Sequence, residues 1–306
     1  MDHFLNLADL TPDELRGLLN LALELKEDWK AGGNSPLLKG KTLGLLFQKP
    51  SLRTRVSFEM GMIHLGGQAL YLSPFEIKLG ERESVPDVAR VLSRYVDGIM
   101  ARVFAHADIL TLAEYSRVPV INGLSDYNHP CQGLADLLTI VENKGQDLKG
   151  RKLAFIGDGN NVATSLLFGA SLLGMDFAIA GPPGYEMPGD VWKLGQKFAQ
   201  SSGSQLLATN DPWEAVAGAD AVYTDVWASM GQEEEAQERA RTFQPYQVNE
   251  ELIAQAKADV IAMHCLPAHR GQEITDGVCD GPHSVLWDQA ENRMHAQKGI
   301  LVKLMG

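Results

Sequence analysis

Short runs of apolar residues alternate along the chain with longer stretches in which apolar residues recur every three or four positions. The run KTLGLLF at 41–47 is typical of a buried strand, whereas the longer stretches are typical of amphipathic helices. The first helix has a clear start signal in Thr11, Pro12 and Glu14, and its apolar repeat continues to about Lys30. This alternation of strands and helices predicts parallel sheets with helices on both faces.

The strand–helix pattern restarts at KLAFIG, residues 152–157, after a long predicted helix. We therefore expect a first domain at 1–145 and a second at 146–288. A closing helix at about 289–306 is expected to pack back on the first domain. The predicted fold class is α/β, with two doubly wound parallel-sheet (Rossmann-like) domains joined by interdomain helices. Later strands are expected at DAVYTDV (220–226), ADVIAMHCLP (258–267) and HSVLWDQ (283–289).

The composition limits which kinds of partner and which cellular compartment we expect for this protein. The chain has 306 residues, a net charge of -12 and three cysteines. An acidic balance argues against nucleic acid as the main partner, because a phosphate backbone calls for a basic face. Apolar runs end before the length of a membrane span, and the start of the chain lacks the pattern of a signal peptide. An odd, small number of cysteines favours a reducing compartment, so we expect a cytoplasmic protein.

Basic and hydroxyl side chains follow the first predicted strand, at the point where a helix begins. Ser51, Arg53 and Thr54 place two hydroxyls and a guanidinium beside a helix N-terminus, which is an arrangement that binds phosphate. Arg102 ends another predicted strand and would add a second guanidinium. The alternative is an ordinary N-cap with two surface arginines, Arg53 and Arg55. The sequence alone leaves both interpretations open.

His129 and Gln132 lie three positions apart at the start of a predicted helix, so they share one face. A histidine donor and a glutamine amide suit a carbonyl or carbamoyl group. A histidine beside a helix cap is, taken alone, more often structural.

A glycine pair follows the strand KLAFIG. Gly157 and Gly159 have the spacing of a dinucleotide-binding loop, but Val162 stands where a third small residue is expected. No clear acidic residue ends the next strand, so NAD binding, and with it a dehydrogenase, is the weaker interpretation. Asn160 or Asn161 could instead serve a different ligand.

Two further strand ends carry polar residues. Asp225, with Ser229 nearby, could hold an ammonium group, and Cys265 could be a nucleophile, a substrate ligand or a buried apolar group. His264, Cys265 and His269 lack a convincing zinc spacing, so we expect no metal site.

Together these motifs resemble the ornithine carbamoyltransferases of the aspartate/ornithine transcarbamoylase family. The family's S-x-R-T-R stands at Ser51–Arg55, H-P-x-Q at His129–Gln132, D-x-x-x-S-M-G at Asp225–Gly231 and H-C-L-P at His264–Pro267. The closing QAENRMHAQK resembles the family's last helix, with Arg293 in the ligand-contacting position. The match covers nearly the whole chain in order.

The resemblance implies roles for particular residues. Carbamoyl phosphate would lie between the domains and meet L-ornithine there, with direct amine attack giving L-citrulline and phosphate. The catalytic residues would be Cys265, Arg102, His129, Gln132 and Arg293. Carbamoyl phosphate would be bound by Ser51, Leu52, Arg53, Thr54, Lys78, Arg102, His129, Gln132 and Arg293. Ornithine would be bound by Asn161, Asp225, Ser229, Met230, Cys265 and Leu266.

The resemblance also implies a homotrimer and requires neither cofactor nor metal. This sequence departs from the family at Leu52, where Thr is usual, and at Lys78, where Gln is frequent. In trimeric relatives the loop of Lys78 reaches a neighbouring subunit's site; the alternative is a solvated loop lysine. Two other functions stay open, namely a transcarbamoylase for N-acetylornithine, putrescine or aspartate, and a non-catalytic homologue.

Overall fold

The chain divides into two compact units in a computed structural model that describes residues 1–228 and 233–306. Unit 1 comprises Met1–Leu138 and Asn292–Gly306, and unit 2 comprises Thr139–Glu291. No helix among the described residues is both long enough and apolar enough to cross a membrane.

Unit 1 contains a four-stranded parallel sheet in the order β2-β1-β3-β4. Its strands β1, β3 and β4 are almost wholly buried, as their continuous apolar runs predict. The elements in chain order are α1 (Pro12–Lys30), β1 (Thr42–Phe47), α2 (Leu52–His64), β2 (Gln68–Leu72), α3 (Pro74–Ile77), α4 (Val85–Leu92), β3 (Gly98–Arg102), α5 (His106–Tyr115), β4 (Val120–Leu124) and the start of α6 (Pro130–Lys144).

Unit 2 contains a five-stranded parallel sheet in the order β7-β6-β5-β8-β9. Short 3-10 helices lie at Leu7–Asp9 in unit 1 and at Glu233–Glu235 and Gln244–Tyr246 in unit 2. After α6 come β5 (Lys152–Ile156), α7 (Asn161–Leu173), β6 (Asp176–Ala180), α8 (Gly189–Ser202), β7 (Leu206–Thr209), α9 (Pro212–Val216), β8 (Ala221–Thr224), α10 (Ala236–Phe243), α11 (Glu250–Ile253), β9 (Ile261–His264), α12 (Asp276–Cys279) and α13 (Leu286–Met305).

The predicted fold class is confirmed, because both sheets are parallel and helices connect their strands. Helices α6 and α13 each begin in one unit and end in the other. The first helix has the bounds that the sequence predicts. Its capping box is complete, since the backbone N–H of Glu14 donates to Thr11 Oγ1 and the Glu14 carboxylate accepts the N–H of Thr11.

The strand predicted at 283–289 is wrong. Ser284 forms only an isolated bridge with Ala262, and α13 begins at Leu286. Leu286 is buried while Trp287 is exposed, so the apolar run is the first turn of a helix that buries one side. A short apolar run does not by itself distinguish a buried strand from a buried helix.

Strand order reverses beside the first strand of each sheet. In unit 1, β1 lies between β2 and β3, and in unit 2, β5 lies between β6 and β8. In open parallel sheets such reversals leave a crevice beyond the carboxyl ends of the strands, where ligands bind. The residues that follow β1, β3, β5 and β8 are therefore the ones to inspect for chemistry.

Candidate active site

In unit 1, the turn from β1 into α2 presents a helix N-terminus with two hydroxyls. Ser51 is the N-cap, and its Oγ accepts the backbone N–H of Thr54 at 3.4 Å. Its hydroxyl also donates to Thr54 Oγ1 at 3.1 Å. The N-terminal N–H groups of α2 and its dipole therefore face the end of the sheet, which favours an anion there.

Two arginines distant in sequence converge on the same hydroxyl. Arg293 donates to Thr54 Oγ1 at 2.8 Å, and Arg102, at the end of β3, approaches it at 3.4 Å. All three side chains are buried. A guanidinium carries five N–H donors, whereas a hydroxyl oxygen accepts at most two hydrogen bonds. The cluster therefore gathers two buried guanidinium groups at one helix N-terminus, an arrangement suited to a phosphate.

Arg53 and Arg55 differ in what they contact. Arg55 donates to Glu59 at 2.9 Å and lies over the ring of Tyr71, 3.9 Å from its centre. Arg53 is half-buried and its side chain has no hydrogen bond or ion pair within the described part of the chain. Arg53 is thus free to bind an anion, while Arg55 braces the helix.

Positive charge collects around His129, which is buried at the start of α6. Burial, then the cations of Arg293, Arg102 and Lys49, hold the pKa of His129 well below its usual range. Burial and the nearby Arg102 also lower the pKa of Lys49 to about 8. A neutral imidazole at this position can donate a hydrogen bond without adding charge to the cluster.

In unit 2, Asp225 follows β8 and is held from two sides. Asn160, the N-cap of α7, donates its Nδ2 to Asp225 Oδ2 at 2.8 Å, and the backbone N–H of Val226 donates to Oδ1 at 2.8 Å. Cys265, which follows the neighbouring strand β9, donates its thiol to Asp225 Oδ1 at 2.9 Å. The site therefore presents a fixed carboxylate beside a thiol.

The loop after β9 is braced by buried polar groups. The Nδ1 of His264 accepts the N–H of Leu266 at 2.8 Å, so its Nε2 carries the proton and donates to Glu273 at 3.1 Å. Gln289 Oε1 accepts the backbone N–H of His264 at 2.8 Å. Leu266 has a φ of 59°, a left-handed conformation rare for this residue type, and these bonds hold it there.

Ligand atoms of Asp225, His264 and Cys265 lie within 4.8 Å of one another, a separation at which three groups could bind a metal ion. The hydrogen bonds of His264 to Leu266 and Glu273 already occupy both ring nitrogens. The thiol is likewise engaged with Asp225. This donor set is arranged to orient a loop and fits a metal poorly.

Two family models match the chain. The carbamoyl-P binding domain of aspartate/ornithine carbamoyltransferase matches residues 2–142, and the Asp/Orn binding domain matches residues 149–304. The chain belongs to the aspartate/ornithine carbamoyltransferase family. The resemblance inferred from the motifs is confirmed.

Individual carbamoyltransferases match over almost their full length. The ornithine carbamoyltransferase of Carboxydothermus hydrogenoformans is 56% identical over 303 residues, 99% of this chain and 97% of that protein. The anabolic ornithine carbamoyltransferase of Pyrococcus furiosus is 55% identical over 300 residues, 98% of this chain and 95% of that protein. A solved structure of the ornithine carbamoyltransferase from Pyrococcus furiosus matches with a TM-score of 0.97 at 55% identity, covering 99% of this chain and 97% of that chain.

The structure places the site residues expected from the carbamoyltransferase motifs in two groups. In unit 1, hydrogen bonds join Ser51, Thr54, Arg102 and Arg293. Leu52 is 75% exposed and Lys78 is an exposed residue at the end of α3, with a φ of 43°. Leu52 directly follows Ser51, whereas the Lys78 side chain has no hydrogen bond or ion pair with the cluster among the described residues.

In unit 2, Asp225 and Cys265 are in contact, Leu266 adjoins Cys265, and Asn161 is the first residue of α7. Ser229 and Met230 lie outside the described residues. Sequence reasoning missed the cation of Lys49 near His129 and the hydrogen bonds that Asp136 and Glu273 accept. Asp136 accepts the Gln132 amide at 2.8 Å, and its spacing of four residues on one helix was a signal that could have shown it. Glu273 is reached only through the tertiary fold.

The glycine spacing that mimics a dinucleotide loop has a packing cause. A Cβ on Gly159 would lie 2.5 Å from the backbone nitrogen of Met187 and 2.6 Å from the carbonyl carbon of Glu186. The loop after β5 therefore needs glycine because it approaches the chain's own backbone. Gly157 has a φ of 145°, a backbone conformation that favours glycine, so the geometry of the loop accounts for both glycines without a pyrophosphate.

We expect Gly159→Ala to destabilise the protein by about 2 kcal/mol, because overpacking forces the 186–187 backbone to move. Gly189→Ala is the matched control, since a Cβ there meets nothing within 4 Å. The thermal midpoints of both variants, measured beside the wild type, check this. Equal midpoints for the two variants would contradict the packing explanation.

Proposed function

We propose that this chain transfers the carbamoyl group of carbamoyl phosphate to the δ-amine of L-ornithine, giving L-citrulline and phosphate. The amine nitrogen attacks the carbamoyl carbon, a tetrahedral intermediate forms, the bond from that carbon to the phosphate oxygen breaks, and the amine loses a proton. The observation that carries the proposal is the match, at 55–56% identity over nearly the full length, to proteins named ornithine carbamoyltransferase.

The phosphate would bind at the N-terminus of α2. Ser51, Leu52, Arg53 and Thr54 supply backbone N–H groups, hydroxyls and a guanidinium, and Arg102 adds a second guanidinium. Support comes from the arginines gathered on Thr54 and from Arg53, which lacks an ion pair among the described residues. Guanidinium groups and helix N-termini stabilise the phosphate as charge develops on its bridging oxygen.

The carbamoyl group would bind His129, Gln132 and Arg293. A neutral His129 and the cationic Arg293 donate to the carbamoyl oxygen, where negative charge grows as the tetrahedral intermediate forms. Gln132 accepts from the carbamoyl nitrogen. The lowered pKa of His129 supports this role, because the imidazole stays neutral beside the arginines.

Ornithine would bind the residues that follow β5, β8 and β9. Asp225 pairs with the α-ammonium, and Asn161, Ser229, Met230 and Leu266 surround the amino acid. The support is the carboxylate that Asn160 and Val226 hold in place. N-acetylornithine has no α-ammonium, so Asp225 favours free ornithine as the acceptor.

Cys265 would orient the δ-amine or accept its proton rather than act as a nucleophile. Its thiol donates to Asp225, which couples the two groups. Because phosphate is a good leaving group, the transfer needs no covalent intermediate. The contribution of the protein is then positioning of the neutral amine and stabilisation of the anions.

The assembly would be a homotrimer. Leu52, Val56 and Ile63 are exposed on one face of α2, and Phe75 is 89% exposed on α3. Exposed apolar faces of this kind mark contacts between proteins, here with further copies of the chain. In such an assembly Lys78 would reach the phosphate of a neighbouring subunit.

The pathway would be arginine biosynthesis in the cytoplasm; the Pyrococcus furiosus relative is named anabolic. The carbamoyl-phosphate-binding domain would comprise residues 1–145 with the closing helix at about 289–306, and the ornithine-binding domain residues 146–288.

We expect citrulline from carbamoyl phosphate and ornithine, and no turnover with N-acetylornithine, putrescine or aspartate. N-acetylornithine lacks the free α-ammonium and aspartate lacks the δ-amine that the site is proposed to hold. Putrescine keeps both amines but lacks the α-carboxylate of the amino acid. Mass spectrometry of the product checks this with all four acceptors in parallel. Turnover with N-acetylornithine in place of ornithine would contradict the role of Asp225. Turnover with putrescine or aspartate in its place would contradict the choice of ornithine, and turnover with none would contradict the enzyme itself.

We expect Arg53→Ala to weaken carbamoyl phosphate binding by about tenfold or more, because a charged hydrogen bond to phosphate is lost. Arg55→Ala is the matched control and should change the affinity by less than about threefold, since Arg55 contacts Glu59 and Tyr71. Isothermal titration of each variant gives the dissociation constants. Equal losses in the two variants would refute the assignment of Arg53 to the phosphate.

A further inference from the structure

We propose that Asp136 is a specificity-determining residue. It fixes the orientation of the Gln132 side-chain amide, so that the amide oxygen faces the ligand and the site prefers carbamoyl phosphate to acetyl phosphate. The inference rests on the proposed function, since it takes Gln132 to contact the carbamoyl group. Asp136 itself need not touch the substrate, so it is a positioning residue.

The two side chains form a buried pair on one helix. Gln132 and Asp136 lie four residues apart on α6 and are 1% and 0% exposed. Gln132 donates its Nε2 to Asp136 Oδ1 at 2.8 Å. Both residues belong to unit 1, on the same helix that begins beside His129.

The chemistry of this pair decides how the amide is turned. In this pair Asp136 Oδ1 is the acceptor, whereas the amide of Gln132 has a donating NH₂ and an accepting oxygen. Asp136 therefore selects the rotamer in which the NH₂ of Gln132 faces it. The amide oxygen must then point away from Asp136.

The side-chain oxygen of Gln132 lacks a hydrogen-bond donor, which a ligand can supply. Oε1 is buried and has no hydrogen-bond partner among the residues that the structure describes. A buried acceptor without a donor is unfavourable, so this position favours a ligand that brings an N–H group.

Carbamoyl phosphate and acetyl phosphate differ at this group alone. Both carry the phosphate and the carbonyl oxygen, but one has an NH₂ where the other has a methyl. A site built to hydrogen-bond a substrate N–H discriminates strongly against an analogue that lacks it. The pair of Asp136 and Gln132 would thus recognise the NH₂ group of the substrate, independently of the residues that bind the phosphate.

The test uses Asp136→Leu and Asp136→Asn in the full chain. Leucine is close to aspartate in shape and offers no acceptor, so Gln132 can turn its NH₂ towards the ligand. Asparagine keeps an oxygen that can still accept from Gln132. Glu142→Gln is the matched control, because it neutralises an exposed carboxylate on the same helix.

Dissociation constants for carbamoyl phosphate, acetyl phosphate and inorganic phosphate are measured by calorimetry. We expect the wild type to bind carbamoyl phosphate about tenfold or more tightly than acetyl phosphate. Asp136→Leu should lower that ratio by about tenfold, with inorganic phosphate changed less than about twofold. Asp136→Asn should keep the ratio within about threefold and Glu142→Gln should leave it unchanged.

An unchanged ratio in Asp136→Leu would overturn the proposal. An equal loss of affinity for all three ligands would also overturn it, because that result indicates a structural role. The same holds if Asp136→Asn lowers the ratio as much as Asp136→Leu does. Failure of both variants to fold while Glu142→Gln folds, judged by circular dichroism, would also overturn it. If the wild type forms citrulline but Asp136→Leu keeps the wild-type ratio of affinities, only this inference is contradicted. If Asp136→Leu lowers that ratio as expected but the wild type forms no citrulline, only the proposed function is contradicted.

Discussion

One buried hydroxyl organises the positive charge of unit 1. Thr54 Oγ1 is approached by Ser51, Arg102 and Arg293, and Arg293 lies 239 residues away in sequence. Buried guanidinium groups are unfavourable unless anions or acceptors compensate them. Burial first, and then the neighbouring cations, lower the pKa values of His129 and Lys49 in the same region. A chain with a net charge of -12 therefore concentrates positive charge at one place in unit 1.

Unit 2 places a negative charge at the corresponding position, at the end of a parallel strand. A carboxylate, Asp225, lies just past β8 and is held by Asn160 and Val226, while Cys265 approaches from the neighbouring strand. In both units the cluster of polar side chains lies beyond the carboxyl ends of parallel strands, beside the reversal of strand order. The proposed reaction between carbamoyl phosphate and an amino acid calls for a group of cations and a carboxylate, and the two units each supply one of them.

Local signals predicted most of the fold, because the spacing of apolar residues and the capping residues indicate where strands and helices lie. The Thr11 capping box and the parallel α/β alternation are examples. The strand predicted at 283–289 failed because an apolar run of that length fits either a strand or a helix turn. The S-x-R-T-R and D-x-x-x-S-M-G motifs predicted Thr54 and Asp225 as candidate site residues. The bracing of His264 by Glu273 could not be predicted, because nothing local links a buried carboxylate to the strand end it supports.

The most direct test is the affinity for inorganic phosphate of the wild type and of Thr54→Val, which keeps the shape and removes the hydroxyl. Calorimetry at two salt concentrations would measure it. The account predicts that the wild type binds phosphate more weakly at high salt and that the variant binds about tenfold less tightly. Equal affinity in the two proteins, or no phosphate binding by the wild type, would contradict it.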